Sequence, residues 1–339
     1  MYLGLDIGTS GVKAVLVDEA QNIVDQATAP LTVNRPQALW SEQNPQDWWE
    51  ATTAAVKQLD AFKRSGVKAI GLSGQMHGAT CLDSADKVIR PAILWNDGRS
   101  GAECLGMMAE MPELTRITGN LAMPGFTAPK LEWMRTYEAE NFVKVAKVLL
   151  PKDYVRLLMT GDYASDMSDS AGTLWMDVAK RDWSDEVLAL TALTREHMPK
   201  LFEGSEATGN LRKDIATDWG VPSVPVAAGG GDNAAGAVGS GTTSHGHGFI
   251  SLGTSGVTFL ADDSYRPNPE GAVHTFCHAL PGLWHQMSVT LSAASAVDFV
   301  AKMTGFAQPA DLYAAAEDAN QSGKGAFFLP YLSGERTPH

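Results

Sequence analysis

Two short stretches, far apart in the chain, share the same five residues. Residues 8–12 read Gly-Thr-Ser-Gly-Val, and residues 253–257 repeat them. Each copy lies between two apolar runs, the pattern of a β-hairpin whose turn contains small residues. Backbone N–H groups of such a turn can approach a phosphate closely, because no large side chain stands in the way. The repeat therefore predicts two phosphate-binding hairpins.

The first hairpin carries two charged residues that the second lacks. Asp6 ends the apolar run before the first turn, and Lys13 comes just after that turn. A carboxylate is a suitable ligand for Mg²⁺, and a lysine ammonium is a suitable partner for phosphate. This asymmetry predicts that only the first hairpin also deals with a metal ion. The alternative is that both are ordinary hairpins with similar turns.

A third candidate is Asp232, which directly follows three consecutive glycines, 229–231. Residues 224–228 have the pattern of a buried strand, and the small residues after Asp232 suit a tightly packed helix. Asp232 is therefore expected at or near the N-cap of that helix, where an Asp is common. Capping leaves the three glycines unexplained. An acid at a strand end, with space cleared beside it, is a candidate general base.

Two polar segments follow predicted strands, and a third segment is rich in acids. Residues 73–78 follow the strand 67–72 and include His77, which could also be an ordinary loop histidine. Residues 95–99 follow an apolar run, and Trp95 offers either a flat face to a sugar or a core side chain. These two segments predict a sugar-facing edge of the sheet. Residues 165–169, which contain two aspartates, could bind a metal, but a solvated turn with N-capping acids is the favoured prediction.

The remaining pattern predicts elements that could hold these residues in place. Asn44 and Pro45 favour the start of a helix, on which Trp49, Thr52, Val56 and Leu59 fall at helical spacing. The other predicted elements are a strand at 22–29, helices from 130 and from 151, strands at 274–278 and 284–290, and helices at 292–303 and 309–319. Strands and helices alternate along the chain, which predicts an α/β fold.

Composition limits the classes of partner. The 339 residues have a formal net charge of −13, which argues against nucleic acids and anionic membranes as partners. The three cysteines, Cys81, Cys104 and Cys277, have no CxxC spacing, so neither a disulfide framework nor a zinc site is expected. No signal peptide and no apolar run of bilayer-spanning length are apparent. A cytoplasmic protein is expected.

Seven segments in order resemble the FGGY family of carbohydrate kinases over the whole chain. They are residues 6–13, 73–78, 94–99, 125–133, 229–234, 251–256 and 328–336. The resemblance implies two ribonuclease H-like lobes of the actin/Hsp70 type, with sugar and ATP meeting between them. It places the first lobe, complete, at 1–246 and the start of the second lobe at 247–339. The implied reaction is ATP-dependent phosphorylation of D-xylulose to D-xylulose 5-phosphate.

The resemblance also implies a role for each candidate residue. Asp6 resembles the carboxylate that holds Mg²⁺, and Asp232 resembles the base that takes the proton from the terminal hydroxyl of the sugar. The other roles carried over are the first phosphate loop (Thr9, Ser10, Lys13), the second phosphate loop (Thr254) and the pentulose pocket (Met76, His77, Trp95, Asn233). Glycerol kinases have Arg-Glu in place of Met76 and His77, so glycerol is disfavoured.

Members of the family usually continue well past residues 334–339, with a Gly-rich motif that holds the adenosine. This sequence is therefore expected to be an N-terminal portion in which sugar binding survives better than ATP binding or turnover. Two alternative functions remain at this point: a kinase of another ketopentose or polyol such as ribulose, and an actin/Hsp70-like ATPase module that serves a protein partner. For the assembly, both a monomer and a homodimer remain open.

Overall fold

The structure is a computed structural model that describes residues 1–319, 327–332, 335 and 337. Its strands, in chain order, are β1 (Tyr2–Ile7), β2 (Gly11–Val17), β3 (Ile23–Pro30), β4 (Glu42–Gln43), β5 (Ala69–Gly74), β6 (Thr80–Leu82), β7 (Ala92–Ile93), β8 (Lys147–Leu149), β9 (Ala164–Asp166), β10 (Met176–Asp177), β11 (Asp182–Trp183), β12 (Lys200–Phe202), β13 (Ala207–Asn210), β14 (Pro225–Ala227), β15 (Gly230–Gly231), β16 (Gly248–Leu252), β17 (Gly256–Asp262), β18 (His274–Cys277) and β19 (Trp284–Thr290).

Helices are interspersed with the strands, as the sequence predicts. They are α1 (Pro45–Gln58), α2 (Ala61–Arg64), α3 (Gly101–Glu110), α4 (Leu114–Thr118), α5 (Thr127–Tyr137), α6 (Ala139–Phe142), α7 (Pro151–Thr160), α8 (Met167–Ala171), α9 (Asp185–Leu190), α10 (Lys213–Trp219), α11 (Asp232–Gly239), α12 (Ala294–Thr304) and α13 (Pro309–Ala319). Two 3₁₀ turns lie at Arg195–His197 and Pro269–Gly271. In the described part of the chain, no helix is both long enough and apolar enough to cross a bilayer.

A seven-stranded sheet forms the centre of the first lobe. The strands run in the order β13-β14-β5-β1-β2-β3, and β15 pairs with the end of β5. The predicted first hairpin is confirmed: β1 and β2 are antiparallel, with Asp6 opposite Lys13. Side chains alternate between the faces of a sheet, so Leu3, Leu5 and Ile7 enter the core while Asp6 lies on the other face.

Helix α1 covers the apolar face of this sheet. Asn44 caps it, its side chain accepting a hydrogen bond from the N–H of Gln46, as its sequence predicts. The residues buried at helical spacing are Trp48, Ala51, Thr52, Ala55 and Val56. Trp48, fully buried, therefore replaces the expected Trp49, which instead packs on Trp219 with ring centroids 5.4 Å apart.

The glycine turn between β14 and α11 lies directly against β5. Gly229 has a φ of +77°, and a Cβ on it would stand 1.9 Å from the carbonyl oxygen of Leu72. Gly230 and Gly231 then pair in parallel with Ser73 and Gly74. The predicted strand, turn and helix around Asp232 are confirmed.

A second core lies between the first-lobe sheet and the second lobe. It contains Phe126, Trp175, Phe276 and Met287 among its buried residues. Beside it, the segment 165–169 is not the solvated turn expected from its sequence, because all but Met167 of its residues are fully buried. The expected capping is present: the carboxylate of Asp166 accepts hydrogen bonds from the N–H groups of Ser168 and Asp169.

The described part of the second lobe contains an antiparallel sheet in the order β16-β17-β19-β18, followed by α12 and α13. The second predicted hairpin is β16 and β17, joined by Gly253–Ser255. Two side chains of β16, Ile250 and Leu252, are 69% and 75% exposed. Residues 333, 334 and 336 of the seventh motif lie outside the described residues.

Replacing Gly229 by Ala should destabilise the protein strongly, because the left-handed backbone and the contact with Leu72 leave no room for a methyl group. We expect the free energy of unfolding to fall by at least about 1–3 kcal/mol. Gly106→Ala is the matched control: Gly106 is exposed inside α3 with nothing within 4 Å of an added Cβ, so this variant should gain about 0.5–1 kcal/mol. Urea denaturation measures both, and equal midpoints for the two variants would contradict this account.

Candidate active site

The polar face of the first-lobe sheet opens into a cleft. A cavity of about 420 Å³ lies over this face, lined by Asp6, Lys13, Ser73 and Gly230 together with small and apolar residues. Three elements meet there: the β1–β2 hairpin, the end of β5 and the glycine turn. Asp232 and the predicted sugar residues are not part of its lining, so the cavity lies beside them; these sugar residues are Met76, His77, Trp95 and Asn233.

Asp232 is the first residue of α11, and it does not cap that helix. The N-cap is Gly231, and the carboxylate of Asp232 instead accepts hydrogen bonds from the N–H (2.7 Å) and the side-chain amide (2.9 Å) of Asn233. Its side chain is exposed beside the glycine turn, and the surrounding protein replaces part of its hydration. This desolvation, with the negative charge of Asp6 as a smaller cause, raises the pKa of Asp232 to about 6.

The side chain of Asp6 lines the cleft. Removal from solvent raises the pKa of its carboxyl, and a hydrogen bond from Ser73 and the charge of Lys13 oppose this rise. Lys13 is its cross-strand neighbour and is exposed. Asp6 and Asp232 are close enough for their charges to interact, although 226 positions separate them in the sequence (232 − 6).

The first turn is tied to the neighbouring loops through Thr9. The Thr9 hydroxyl donates to Gln75 Oε1 (3.0 Å) and accepts from the indole N–H of Trp95 (3.0 Å). The amide of Gln43 donates to the Thr9 carbonyl (2.8 Å), and Gln75 donates to Gln43 Oε1 (3.0 Å). The side chain of Thr9 is therefore engaged inside the protein, while Ser10 is exposed.

His77 adopts an uncommon backbone conformation for a residue other than glycine, with a φ of +67°. Its Nδ1 lies 2.6 Å from the carbonyl oxygen of Gly172, and its ring packs edge-on against Phe126 with centroids 4.9 Å apart. The backbone carbonyl of His77 accepts hydrogen bonds from Lys130 Nζ (2.8 Å) and Thr127 Oγ1 (3.2 Å). Several contacts from other elements therefore hold this strained loop, as at many functional sites.

Met76 connects this loop to the glycine turn. A Cβ on Gly231 would lie 2.8 Å from Met76 Cγ, and one on Gly172 would lie 2.7 Å from Met76 Cε. Met76 is 6% exposed. The predicted pocket residues Met76, His77 and Asn233 are thus brought together around the turn that carries Asp232.

The segment 95–99 divides between the cleft and the interior. Trp95 is 39% exposed, with its N–H directed to Thr9. Asp97 and Arg99, expected at a sugar-facing edge, are instead buried and joined by two hydrogen bonds of 2.9 and 2.7 Å. The Arg99 guanidinium also stacks over Trp40 at 3.6 Å, so this pair holds the loop in place.

The second predicted phosphate turn contacts α12 through its carbonyl groups. The N–H groups of Ala293 and Ala294 donate to the carbonyls of Thr254 and Gly253, each at 2.8 Å. The hydroxyl of Ser295 also donates to the Thr254 carbonyl (2.9 Å). The turn and the start of α12 are therefore one unit.

Several residues at this site were missed by sequence analysis. Gln43 and Gln75 link the loops through hydrogen bonds. Lys130, which has no exposed surface, donates a hydrogen bond to the carbonyl of His77. Burial lowers the pKa of Lys130 well below its ordinary value. Gln75 and Lys130 lie in the segments 73–78 and 125–133, but the sequence alone assigned them no role, because a single Gln or Lys is usually a surface residue. Only the packing reveals their partners.

The comparisons with known proteins agree with this architecture. The model of the N-terminal domain of the FGGY family of carbohydrate kinases matches residues 1–239. The chain is 57% identical over 340 residues to the xylulose kinase of Escherichia coli K12, an alignment that covers 100% of this chain and 70% of that protein.

Solved structures of two sugar kinases have the same fold as this chain. A xyloylose kinase from Brucella ovis superposes with a TM-score of 0.96 at 55% identity, over 100% of this chain and 70% of that one. The xylulose kinase of Rhodospirillum rubrum superposes with a TM-score of 0.93 at 26% identity, over 99% and 70%. The fold is the ribonuclease H-like ATPase fold, with a partial second lobe over the length of this chain. A protein-directed ATPase module is thereby set aside, and the chain belongs to the FGGY family of carbohydrate kinases.

Proposed function

We propose that this protein transfers the γ-phosphoryl group of ATP to the terminal hydroxyl of D-xylulose, giving D-xylulose 5-phosphate. The observation that carries the proposal is Asp232, an exposed carboxyl with a raised pKa that interacts with the charge of Asp6 and lies beside the loop of Met76 and His77. The relatives at 57% and 55% identity, named as kinases of this sugar, support the choice of substrate.

Asp232 acts as the general base. A carboxylate with a pKa near 6 is ionised at neutral pH and is a stronger base than an ordinary aspartate. The amide of Asn233 holds its Oδ1, which leaves Oδ2 to accept the proton of the sugar hydroxyl. The oxygen then attacks the γ-phosphorus in line with the departing ADP.

Asp6 fits a role in holding Mg²⁺. Magnesium in kinase sites is usually bound by one or two carboxylates and the phosphates of the substrate, and it retains several waters. The open carboxylate of Asp6, with a second carboxylate nearby and Lys13 opposite, suits that arrangement. Bound there, the ion would neutralise charge on the phosphates. Asp6 would orient it, and Lys13 would contribute a further positive charge.

The two hairpin turns bind the phosphates of ATP in this proposal. Ser10 in the first turn is exposed, and Thr254 in the second turn occupies the position that Thr9 has in the first. Because its hydroxyl is engaged with Gln75 and Trp95, Thr9 contributes through its backbone and links the phosphate turn to the sugar pocket.

The ketopentose lies against Trp95, His77, Met76 and Asn233. Trp95 supplies a partly exposed apolar face, and His77 and Asn233 supply polar atoms for hydroxyl groups. Met76 closes the space next to the glycine turn. An ADP-release assay across xylulose, ribulose and several polyols tests the choice of sugar, and a preference for any other sugar would overturn it.

We also propose that the first lobe ends at residue 246 and that the second begins at 247. The family model of the N-terminal domain stops at 239, and the first strand of the second sheet, β16, begins at Gly248. The residues between them form a turn-rich connection without helix or strand.

The variant Asp232→Asn should bind ketopentose nearly normally while its turnover falls roughly 10²–10⁴-fold, because the amide cannot accept the proton. Calorimetry measures binding, and coupled ADP release measures turnover. The melting temperature at pH 7.5 should not decrease, since removing a carboxylate whose pKa is raised by folding removes a cost of ionisation. Near-normal turnover would rule out Asp232 as the base.

The rate should depend on pH in the direction set by this carboxyl. Because Asp232 must be ionised, kcat/KM should rise with pH through about 6 and level off above it. The rise should be absent from the residual activity of Asp232→Asn. A profile that is flat between pH 5 and 7 would contradict the raised pKa.

The variant His77→Asn should weaken ketopentose binding about tenfold or more and leave nucleotide affinity unchanged, because it loses the hydrogen bond and the ring but tolerates the left-handed backbone. His197→Ala is the control, since His197 lies on a separate 3₁₀ turn and contacts Thr194. Equal losses of sugar and nucleotide affinity would indicate that His77 is structural only.

A further inference from the structure

Five charged side chains form a buried cluster behind the glycine turn. They are Lys152, Asp153, Arg156, Asp166 and Asp169, and none has exposed side-chain surface. Lys152 Nζ lies 2.7, 2.6 and 3.1 Å from carboxylate oxygens of Asp153, Asp166 and Asp169. Arg156 Nη1 lies 2.7 Å from Asp153. The proposed mechanism assigns no role to this cluster.

The charges of the cluster come close to balance. Burial, with the neighbouring carboxylates Asp166 and Asp153, raises the pKa of Asp169 well above its ordinary value. Burial by itself disfavours the charged form of Lys152, but the three surrounding carboxylates more than offset it and raise the pKa of the ammonium. Two cations and three carboxyl groups thus contact one another at short distances, and their positions are tightly defined.

The cluster reaches the glycine turn at two points. Arg156 donates through Nη2 to the carbonyl of Ala228, at the start of the turn. At the other end, the N–H of Gly231 donates to the hydroxyl of Ser168 (3.1 Å), and that hydroxyl donates to Asp166 Oδ1 (2.5 Å). Gly231 directly precedes Asp232.

The direction of the Ser168 hydroxyl follows from its partners. A serine hydroxyl has one hydrogen, which is directed to Asp166, so a lone pair remains for the N–H of Gly231. Asp166 cannot turn away, because its other oxygen contacts Lys152 and its Oδ1 also caps α8. Lys152, Asp166, Ser168 and Gly231 thus form a continuous series of polar contacts that ends one residue before Asp232.

We propose that Ser168, held by Asp166 and Lys152, is a positioning residue that fixes the direction of the Asp232 carboxylate. This rests on the proposed role of Asp232 as the base. Ser168 touches neither sugar nor phosphate; it acts by keeping the glycine turn against β5. Without it, the N–H of Gly231 is buried without a partner, and the turn relaxes toward solvent.

The test compares Ser168→Ala with Ser170→Ala. Ser170 lies on the same helix, is equally buried and donates to Ser165 Oγ (2.8 Å); in the described part of the chain its side chain makes no hydrogen bond to the glycine turn. Ser168→Ala should lower kcat about tenfold to a hundredfold, the range expected when a reacting group moves by up to about 1 Å, with little change in ketopentose KM. Ser170→Ala should leave kcat unchanged.

A pH profile separates positioning from simple destabilisation. In Ser168→Ala, water should reach Asp232 more easily, so the midpoint of the kcat/KM profile should fall from about 6 toward the ordinary value of an aspartate. In Ser170→Ala the midpoint of the kcat/KM profile should remain at about 6. Equal losses of melting temperature in both variants, with unchanged kcat and midpoint in Ser168→Ala, would overturn the proposal.

A double-mutant cycle distinguishes this proposal from the one on which it rests. In an Asp232→Asn background, Ser168→Ala should have no further effect on kcat, because the group that it positions is gone. Full additivity would overturn the positioning role, whereas a normal rate in Asp232→Asn alone would overturn the role of Asp232. If Ser168→Ala does not fold, Ser168→Cys retains the shape with a weak hydrogen-bonding group and should show the same pattern to a smaller extent.

Discussion

The close contact between the glycine turn and β5 is the constraint on which the site depends. Gly229 approaches the carbonyl of Leu72 more closely than any residue with a Cβ could, and this contact brings Asp232 to the end of the strand that continues into Met76 and His77. Asp232 and the loop of Met76 and His77 therefore meet because two backbones touch. Lys130 stabilises the loop by donating a hydrogen bond to the carbonyl of His77, and Ser168 stabilises the turn by accepting one from the N–H of Gly231.

Polar side chains also couple the first turn, 8–11, to the loops that carry Gln75 and Trp95. Thr9 joins Gln75 to Trp95, and Gln43 joins Gln75 to the buried indole of Trp48 on α1. Each donor in this set has a defined acceptor in a largely buried setting, where an unpaired group would cost stability. The arrangement holds turn, loop and helix in one geometry, which phosphoryl transfer requires because it depends mainly on position and charge neutralisation.

The second lobe contacts the first next to the loop of Met76 and His77. Phe276 on β18 packs with Phe126 and with the ring of His77, and Asn120 donates to the carbonyl of Thr275 at 2.9 Å. His77 is thus in contact with both lobes, through Gly172 on one side and Phe276 on the other. A ligand held by His77 would be sensitive to the relative position of the lobes.

The sequence alone determined the elements and most of the candidate residues. Period-two and helical patterns, the Asn-Pro helix start and the repeated turn predicted both hairpins and the strand, turn and helix around Asp232, because these signals are local. Tertiary structure decided what each residue does: Trp48 rather than Trp49 is in the core, and Asp97 and Arg99 pair with one another instead of facing the cleft. Asp166 is buried against Lys152 instead of solvated. The physical reason is that burial and ion pairing depend on contacts between residues distant in sequence. A local pattern of polar residues is the same whether those residues are solvated or paired with a buried lysine.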